Sequence, residues 1–254
     1  RITDYKKILP ILEIYPALQG EGERTGRPTI VVRSVGCTHR CFFGNGGFCD
    51  SWNTSFHPEK GKYCFDDIIK MYDENPLVNE MMITGGSPTM HPALLNELMY
   101  FARTRCIYAT LETEGSHFVK TDSPINVLSI SPKFSNSIPK LNVLTPLGEK
   151  TTQKMIDQHN KFRMNYDVIK QMMEYHSHFY IKPVYDGTPK TLKEIKDFIT
   201  KLKITRDRVW LMPAGDNREE LIRMYPIVME EALKNGYNFS GREHIIARNK
   251  QRFC

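Results

Sequence analysis

Strand-like and helix-like segments take turns along this 254-residue chain, and that alternation confines it to α/β folds built on a mostly parallel sheet, open or rolled into a barrel. ILEIYPAL (11–18) and TIVVRSVG (29–36) read as strands from their β-branched content, with a loop rich in glycine and charge, QGEGERTGRP, between them. FDDIIKMYDEN (65–75) reads as helix, NEMMITGG (79–86) as strand, PALLNELMYFARTR (92–105) as helix, and IYATLETEG (107–115) and NVLSISPKF (126–134) as strands. YDVIKQMMEY (166–175) predicts a helix and FYIKPVYD (179–186) a strand. A capping box from Thr191 to Glu194 predicts the start of the helix TLKEIKDFITKLK (191–203), and RVWLMPAG (208–215) predicts a further strand. Residues 217–236 read as a long helix that Pro226 should kink or interrupt and Gly236 should end, and His244–Ala247 as a short last strand. Ligands of such sheets collect at the carboxyl ends of the strands.

One stretch breaks the alternation. From Gly36 to about Tyr63 the chain shows neither periodicity, yet it holds three of the six cysteines, in GCTHRCFFGNGGFCDSWNT. Cysteines so concentrated in a chain this long point to a metal or cluster site in a reducing compartment rather than to a secreted disulfide framework. Three thiolates suit a 4Fe-4S cluster with one open iron; a closed zinc site needs a fourth ligand, which His39 or His57 could supply. The net charge of +6 comes from lysines and arginines scattered among acids, which reads as a solvated surface rather than a nucleic-acid footprint. No apolar run reaches the roughly 20 residues of a membrane span. The expectation is a cytoplasmic protein with one domain over 1–254, in which the polar stretch Leu147–Asn165 reads as an insertion.

The cysteine loop resembles the radical S-adenosylmethionine signature CxxxCxxC with extra residues, FFGNGGF, before the last cysteine; FCDS resembles the aromatic-Cys-Asp-Thr ending of that signature. The resemblance assigns Cys37, Cys41 and Cys49 to the cluster and places Phe48 near the adenine. Gly44, Gly46 and Gly47 supply the turns that let the longer loop return. ITGGSP (83–88) resembles the GGEP element, whose backbone receives the methionine amino group; Gly85 and Gly86 permit that approach, and Ser87 stands where the acid is usual. The implied fold is a partial or modified (β/α) barrel with a long cluster-binding loop. In such enzymes the reduced cluster passes one electron to the sulfonium and releases a 5'-deoxyadenosyl radical.

Within that superfamily, ALQGEGERTGRPTIVVRSVGC is similar to the opening of the 7-carboxy-7-deazaguanine synthases, and ITGGSP, LETEGS and SISPK recur in the family's order. The resemblance implies conversion of 6-carboxy-5,6,7,8-tetrahydropterin into 7-carboxy-7-deazaguanine with loss of ammonia, with S-adenosylmethionine as a reusable cofactor and magnesium as a further requirement. It carries Leu18, Gln19, Gly20, Glu21, Arg33 and Thr84 over as substrate contacts. Phe48, Gly85, Gly86, Glu112, Ser131, Pro132 and Lys133 become cofactor contacts and Ser51 a magnesium ligand, with no catalytic residue beyond cluster and cofactor. Glu114 replaces the Asn of the usual ETNG. An external electron donor such as a flavodoxin is implied, and a homodimer is allowed; no nucleic acid or membrane partner is expected. His244, Arg248, Lys250 and Arg252 form a basic tail read as solvated, and Cys64, Cys106 and Cys254 read as bystanders. Two competing readings are an activase that installs a glycyl radical on a protein and a zinc-stabilised nucleic-acid-binding module.

Overall fold

The computed structural model describes residues 2–44 and 47–251. Gly46, Arg252 and Cys254 lie outside the described residues. A six-stranded sheet is built in chain order from β1 (Ile11–Leu18), β2 (Pro28–Ser34), β3 (Glu80–Gly85), β4 (Tyr108–Thr113), β5 (Val127–Ile130) and β6 (Phe179–Ile181). β1 runs antiparallel to β2, and every later pair is parallel. A second parallel sheet holds β7 (Val184–Tyr185), β8 (Trp210–Pro213) and β9 (Asn238–Phe239). An isolated bridge from Ile181 to Val209 links the two sheets, and among the described residues the array is not closed into a barrel.

The alternation of side chains along each strand separates a dry face from a wet one. Ile30 and Val32, Met81 and Ile83, Ala109 and Leu111, and Leu128 and Ile130 share one face and form the core with the helices. α2 (Phe65–Glu74) adds Phe65, Ile68 and Tyr72 to it, α3 (Pro92–Thr104) adds Leu94, Leu95, Leu98 and Phe101, and α5 (Tyr166–Tyr175) adds Ile169 and Met172. α6 (Pro189–Leu202) contributes Ile195, Phe198 and Ile199. These spacings of three, four and seven lay an apolar stripe along each helix. Each aliphatic side chain so buried contributes about 1.5–3 kcal/mol before chain entropy is counted.

Several expectations are corrected. The single strand expected over 179–186 is two, because the chain leaves one sheet at Lys182–Pro183 and enters the other; Lys182 N–H still reaches Ile130 O. No capping box forms at Thr191. α6 begins earlier, with Pro189 in its first turn and the Thr188 side chain accepting from Thr191 N–H, while Glu194 binds Ser135 instead. α7 (Arg218–Asn235) runs through Pro226 without a break. Pro226 and Ile222, whose carbonyl loses its helical donor, both face solvent, where water can replace the bond, while Leu221, Val228 and Ala232 anchor the opposite side. Gly236 ends the helix in the left-handed conformation as expected. The segment 243–248 is a helix, α8 (Glu243–Arg248), and the last short strand is β9 before it. Within Gly36–Tyr63 lies the one-turn α1 (Trp52–Ser55). The polar stretch 147–165 contains α4 (Gln153–Phe162), capped by the Thr152 side chain and held by buried His159, which accepts from Arg40 N–H at 3.0 Å. Among the described residues no helix is long and apolar enough to cross a membrane.

Candidate active site

The face of the large sheet turned away from the core surrounds a cavity. Tyr15 and Ala17, Val31 and Arg33, Met82 and Thr84, then Glu112, Ser129 and Lys182 point into it, one parity from each strand. Loops at the strands' carboxyl ends complete its rim with Cys37, Gly85–Gly86, Thr113–Glu114, and Ser131 with Lys133. The loop 19–27 closes it from another side. Gln19, Arg24 and Arg27 all converge on the buried carboxylate of Glu80 at the start of β3, and this tether turns Glu21 inward.

A chain of charge crosses the cavity. Thr84 Oγ1 donates to Glu112 (3.0 Å), Lys182 Nζ donates to both Glu112 and Glu21 (2.6 Å each), and Arg242 joins Glu21 (2.9 Å) to Asp50 (2.6 Å). Burial alone would raise the pKa of Glu21, but Lys182, Arg242 and His244 outweigh it and hold the group far below the usual carboxylate range. Burial likewise works against charge on Lys182, and Glu112 and Glu21 reverse it, so the ammonium is retained. Arg242 also donates to Gly215 O, which fixes the α8 segment over the cavity. There Glu243 N–H reaches Gly20 O at 2.9 Å, and a Cβ on Gly20 would lie 2.2 Å from the His244 ring. His244 therefore lines the cavity rather than belonging to a solvated tail, while Lys250 stays outside and pairs with Asp216.

Arg33 is held by Glu13 (2.7 Å), Ser51 Oγ (2.9 Å) and Tyr15 Oη (3.3 Å). A guanidinium has five N–H donors, so two remain for a ligand in the cavity. The same contact occupies Ser51 Oγ, so a magnesium ion there would share the hydroxyl with Arg33 or displace it. Glu21, Asp50 and His244 bring ligand atoms within 4.8 Å of one another, but the Arg242 guanidinium already supplies the positive charge between the two carboxylates.

Cys37, Cys41 and Cys49 open onto the same cavity. The two flanks of the stretched spacer pair with each other: Cys49 N–H donates to Cys41 O, Phe43 N–H donates to Gly47 O, and Phe42 bridges Phe48. Gly44 and Gly47 have φ of +62° and +78°. Phe48 packs between Phe42 and Phe56 and also reaches the cavity. Burial pushes all three cysteines up, Cys41 to about 11, and a nearby carboxylate adds to the rise, Glu114 at Cys37 and Asp50 at Cys49. Soft ligands crowded in a dry site are a poor arrangement for free thiols and a good one for a metal cluster that takes them as thiolates. His57 turns to Thr145 (2.8 Å); His39 lines the cavity, with Nδ1 on Thr38 Oγ1.

Of the residues expected in the site, Gln19 and Pro132 do not line the cavity: the first is buried against Glu80 and the second beside the core. Leu18, Gly20, Glu21, Arg33, Phe48, Ser51, Thr84, Gly85, Gly86, Glu112, Ser131, Lys133 and the three cysteines do. Cys64 caps α2, and Cys106 is exposed. Lys182, Arg242, Asp50 and Tyr15 were not expected. Lys182 had a signal, a lysine in an apolar strand before a proline; Arg242 had none beyond its neighbour His244.

No protein-family model matches the chain. It is 29% identical over 250 residues to a 7-carboxy-7-deazaguanine synthase of Halobacterium salinarum, covering 95% of this chain and 91% of that one. It is also 29% identical over 237 residues to the enzyme of that name from Rhodopirellula baltica, covering 93% and 85%. Among solved structures, the crystal structure of QueE from Escherichia coli superposes with a TM-score of 0.62 at 20% identity, over 91% of this chain and 92% of that one, which establishes a shared α/β fold.

Proposed function

We propose, from the similarity of this chain to the 7-carboxy-7-deazaguanine synthases, that it is a radical S-adenosylmethionine lyase converting 6-carboxy-5,6,7,8-tetrahydropterin into 7-carboxy-7-deazaguanine with release of ammonia. The observation that carries this reading is one cavity onto which three thiols, that of Cys41 buried and those of Cys37 and Cys49 half-buried, and the guanidinium of Arg33 all open. Bound to Cys37, Cys41 and Cys49, a 4Fe-4S cluster with S-adenosylmethionine would supply the one-electron cleavage that starts the chemistry.

The protein's own residues bind, orient and keep water out. Arg33 offers its two spare donors to a carboxylate, and Glu13, Tyr15 and Ser51 fix the plane of the fork. Glu21 and Glu112, each already paired with Lys182, present carboxylate oxygens to the amidine edge of a pterin without unscreened charge. Gly86 lets the strand end approach Cys37: a Cβ there would meet Gly36 O at 2.1 Å. Phe48 supplies an apolar wall for adenine, and Ser131 with Lys133 polar contacts for the cofactor. The reading includes magnesium beside Ser51, a flavodoxin-like electron donor and a cytoplasmic location, and it treats the linked sheets as an incomplete barrel. The chemistry of the donor set supports magnesium only in part, since Ser51 Oγ is engaged by Arg33.

The test is an anaerobic assay of iron-reconstituted protein with S-adenosylmethionine, reductant and 6-carboxy-tetrahydropterin, with and without magnesium, following product mass. The deazaguanine product is expected. Cleavage of S-adenosylmethionine without that product would keep the radical chemistry and discard the substrate.

A further inference from the structure

Glu114, just beyond the end of β4, is 7% exposed and lines the cavity near Cys37. Three hydroxyls crowd onto one of its oxygens: Ser87 Oγ at 2.6 Å, Thr38 Oγ1 at 3.1 Å and Ser116 Oγ. The other oxygen, Oε2, is buried and has no hydrogen-bond partner among the described residues. The nearest ion-pair contact, His39 Nδ1 at 3.8 Å, is made to the crowded oxygen Oε1, is beyond hydrogen-bond reach and is already engaged by Thr38. A buried carboxylate with half its acceptor capacity vacant is costly unless something cationic completes it. Lys133, on the rim one strand further, donates to Ser131 Oγ at 2.8 Å. The cavity thus presents an anion and a cation beside the cysteines, the complement of an amino-acid zwitterion.

The sequence gives this carboxylate a second meaning. Ser87 stands where the GGEP pattern has its acid, and Glu114 stands where the ETNG pattern has its amide. The structure brings those two departures into a 2.6 Å hydrogen bond across neighbouring parallel strands. We propose that the carboxylate has been transposed from position 87 to position 114, and that Glu114 Oε2, presented by Ser87, is the seat of the ammonium group of the cofactor's methionine moiety. The inference rests on the reading of this cavity as the S-adenosylmethionine site. Two carboxylates in hydrogen-bond contact would repel, so an acid at 87 and an acid at 114 exclude each other, and the exchange is reciprocal.

Binding, not turnover, tests it. Equilibrium dialysis of the reconstituted protein would compare S-adenosylmethionine with 5'-methylthioadenosine, which keeps the nucleoside and lacks the amino-acid moiety, while iron content and absorbance report the cluster. Glu114→Gln, close in shape and uncharged, is expected to weaken S-adenosylmethionine at least 10-fold and to leave methylthioadenosine and the cluster unchanged. Glu114→Asn should behave likewise, Ser87→Glu alone should lose cluster or stability, and the double exchange Ser87→Glu with Glu114→Asn should restore cofactor affinity to within a few-fold of the parent. Equal binding of S-adenosylmethionine by parent and Glu114→Gln would overturn the proposal and leave the cofactor reading standing. Parallel loss of both ligands, or a double exchange no better than Glu114→Asn, would also overturn it. A parent protein with its cluster that binds neither ligand would overturn the cofactor reading and this proposal together.

Discussion

The amide of Cys49 donates to the carbonyl of Cys41 at 3.2 Å, so two residues eight positions apart in sequence sit side by side. That bond answers the difficulty posed by the long spacer: its two flanks meet, and the last thiol returns to the cavity beside Cys41. Cys41→Ala and Cys49→Ala are each expected to abolish stable cluster assembly, read as loss of iron, sulfide and the visible absorption band after reconstitution. Cys64→Ala and Cys106→Ala, away from the cavity, should retain it. Full iron loading of Cys49→Ala would show that the paired flanks do not deliver a ligand.

Gly86 is the contact between the β3 end and the cysteine loop. A Cβ there would lie 2.1 Å from Gly36 O and 2.8 Å from Cys37 Cβ, and the neighbouring amide of Ser87 donates to the same carbonyl at 2.8 Å. Backbone cannot swing aside as a side-chain tip can, so Gly86→Ala should displace the loop at a cost of about 1–3 kcal/mol. The expected outcome is a lower thermal midpoint with weaker cluster retention. Gly26→Ala, whose Cβ meets nothing within 4 Å but whose φ is +83°, provides the control for conformational strain without a clash.

The succession of strands and helices along the chain, and with it a mostly parallel sheet, was legible because β-branched and apolar patterning is written locally, as in Ile30, Val31 and Val32 of β2. The cysteines and glycines of the site were legible for a similar reason, each lying in a short motif beside a strand end. Elements set by tertiary contact were not. The break at Lys182–Pro183 is fixed by a change of sheet, which a run of strand-forming residues conceals. α4 carries few apolar residues, and a histidine, His159, is its buried anchor, so little in its composition marks the face that packs. Residues 243–248 carry too few positions to separate helix from strand, and docking on Gly20 decides the matter. Arg242 was invisible because its partners, Glu21 and Asp50, lie 221 and 192 positions away.

Lys182 illustrates how strongly such hidden groups can matter. It is 3% exposed and lies between Glu21 and Glu112, so removing it leaves two carboxylates buried without their shared cation. Lys182→Met is expected to destabilise the protein by about 3–5 kcal/mol, the range for breaking a buried ion pair, and to abolish turnover. Glu112→Gln added to Lys182→Met should recover part of the stability but not the activity. Urea unfolding of the single and double variants measures the coupling; strictly additive losses would mean that the pair does not interact.

Acid should loosen the fold through a histidine remote from the cavity. His176, 2% exposed at the end of α5, accepts from Ile125 N–H at 3.1 Å through Nδ1 and packs edge-on against Tyr175. Burial pushes its pKa down to about 4, from an ordinary value near 6.5. The folded state therefore binds fewer protons than the unfolded chain between those values, so this contribution is fully present above pH 6.5 and is lost as pH falls toward 4. A shift of this size corresponds to about 2–3 kcal/mol across the window. Urea unfolding at pH 7.5 and pH 5 should show the parent losing more stability than His176→Gln, whose amide can still accept from Ile125 and carries no titrating group. Equal losses in the two proteins would place the acid sensitivity elsewhere, with buried His159, whose pKa burial also lowers, as the next group to replace.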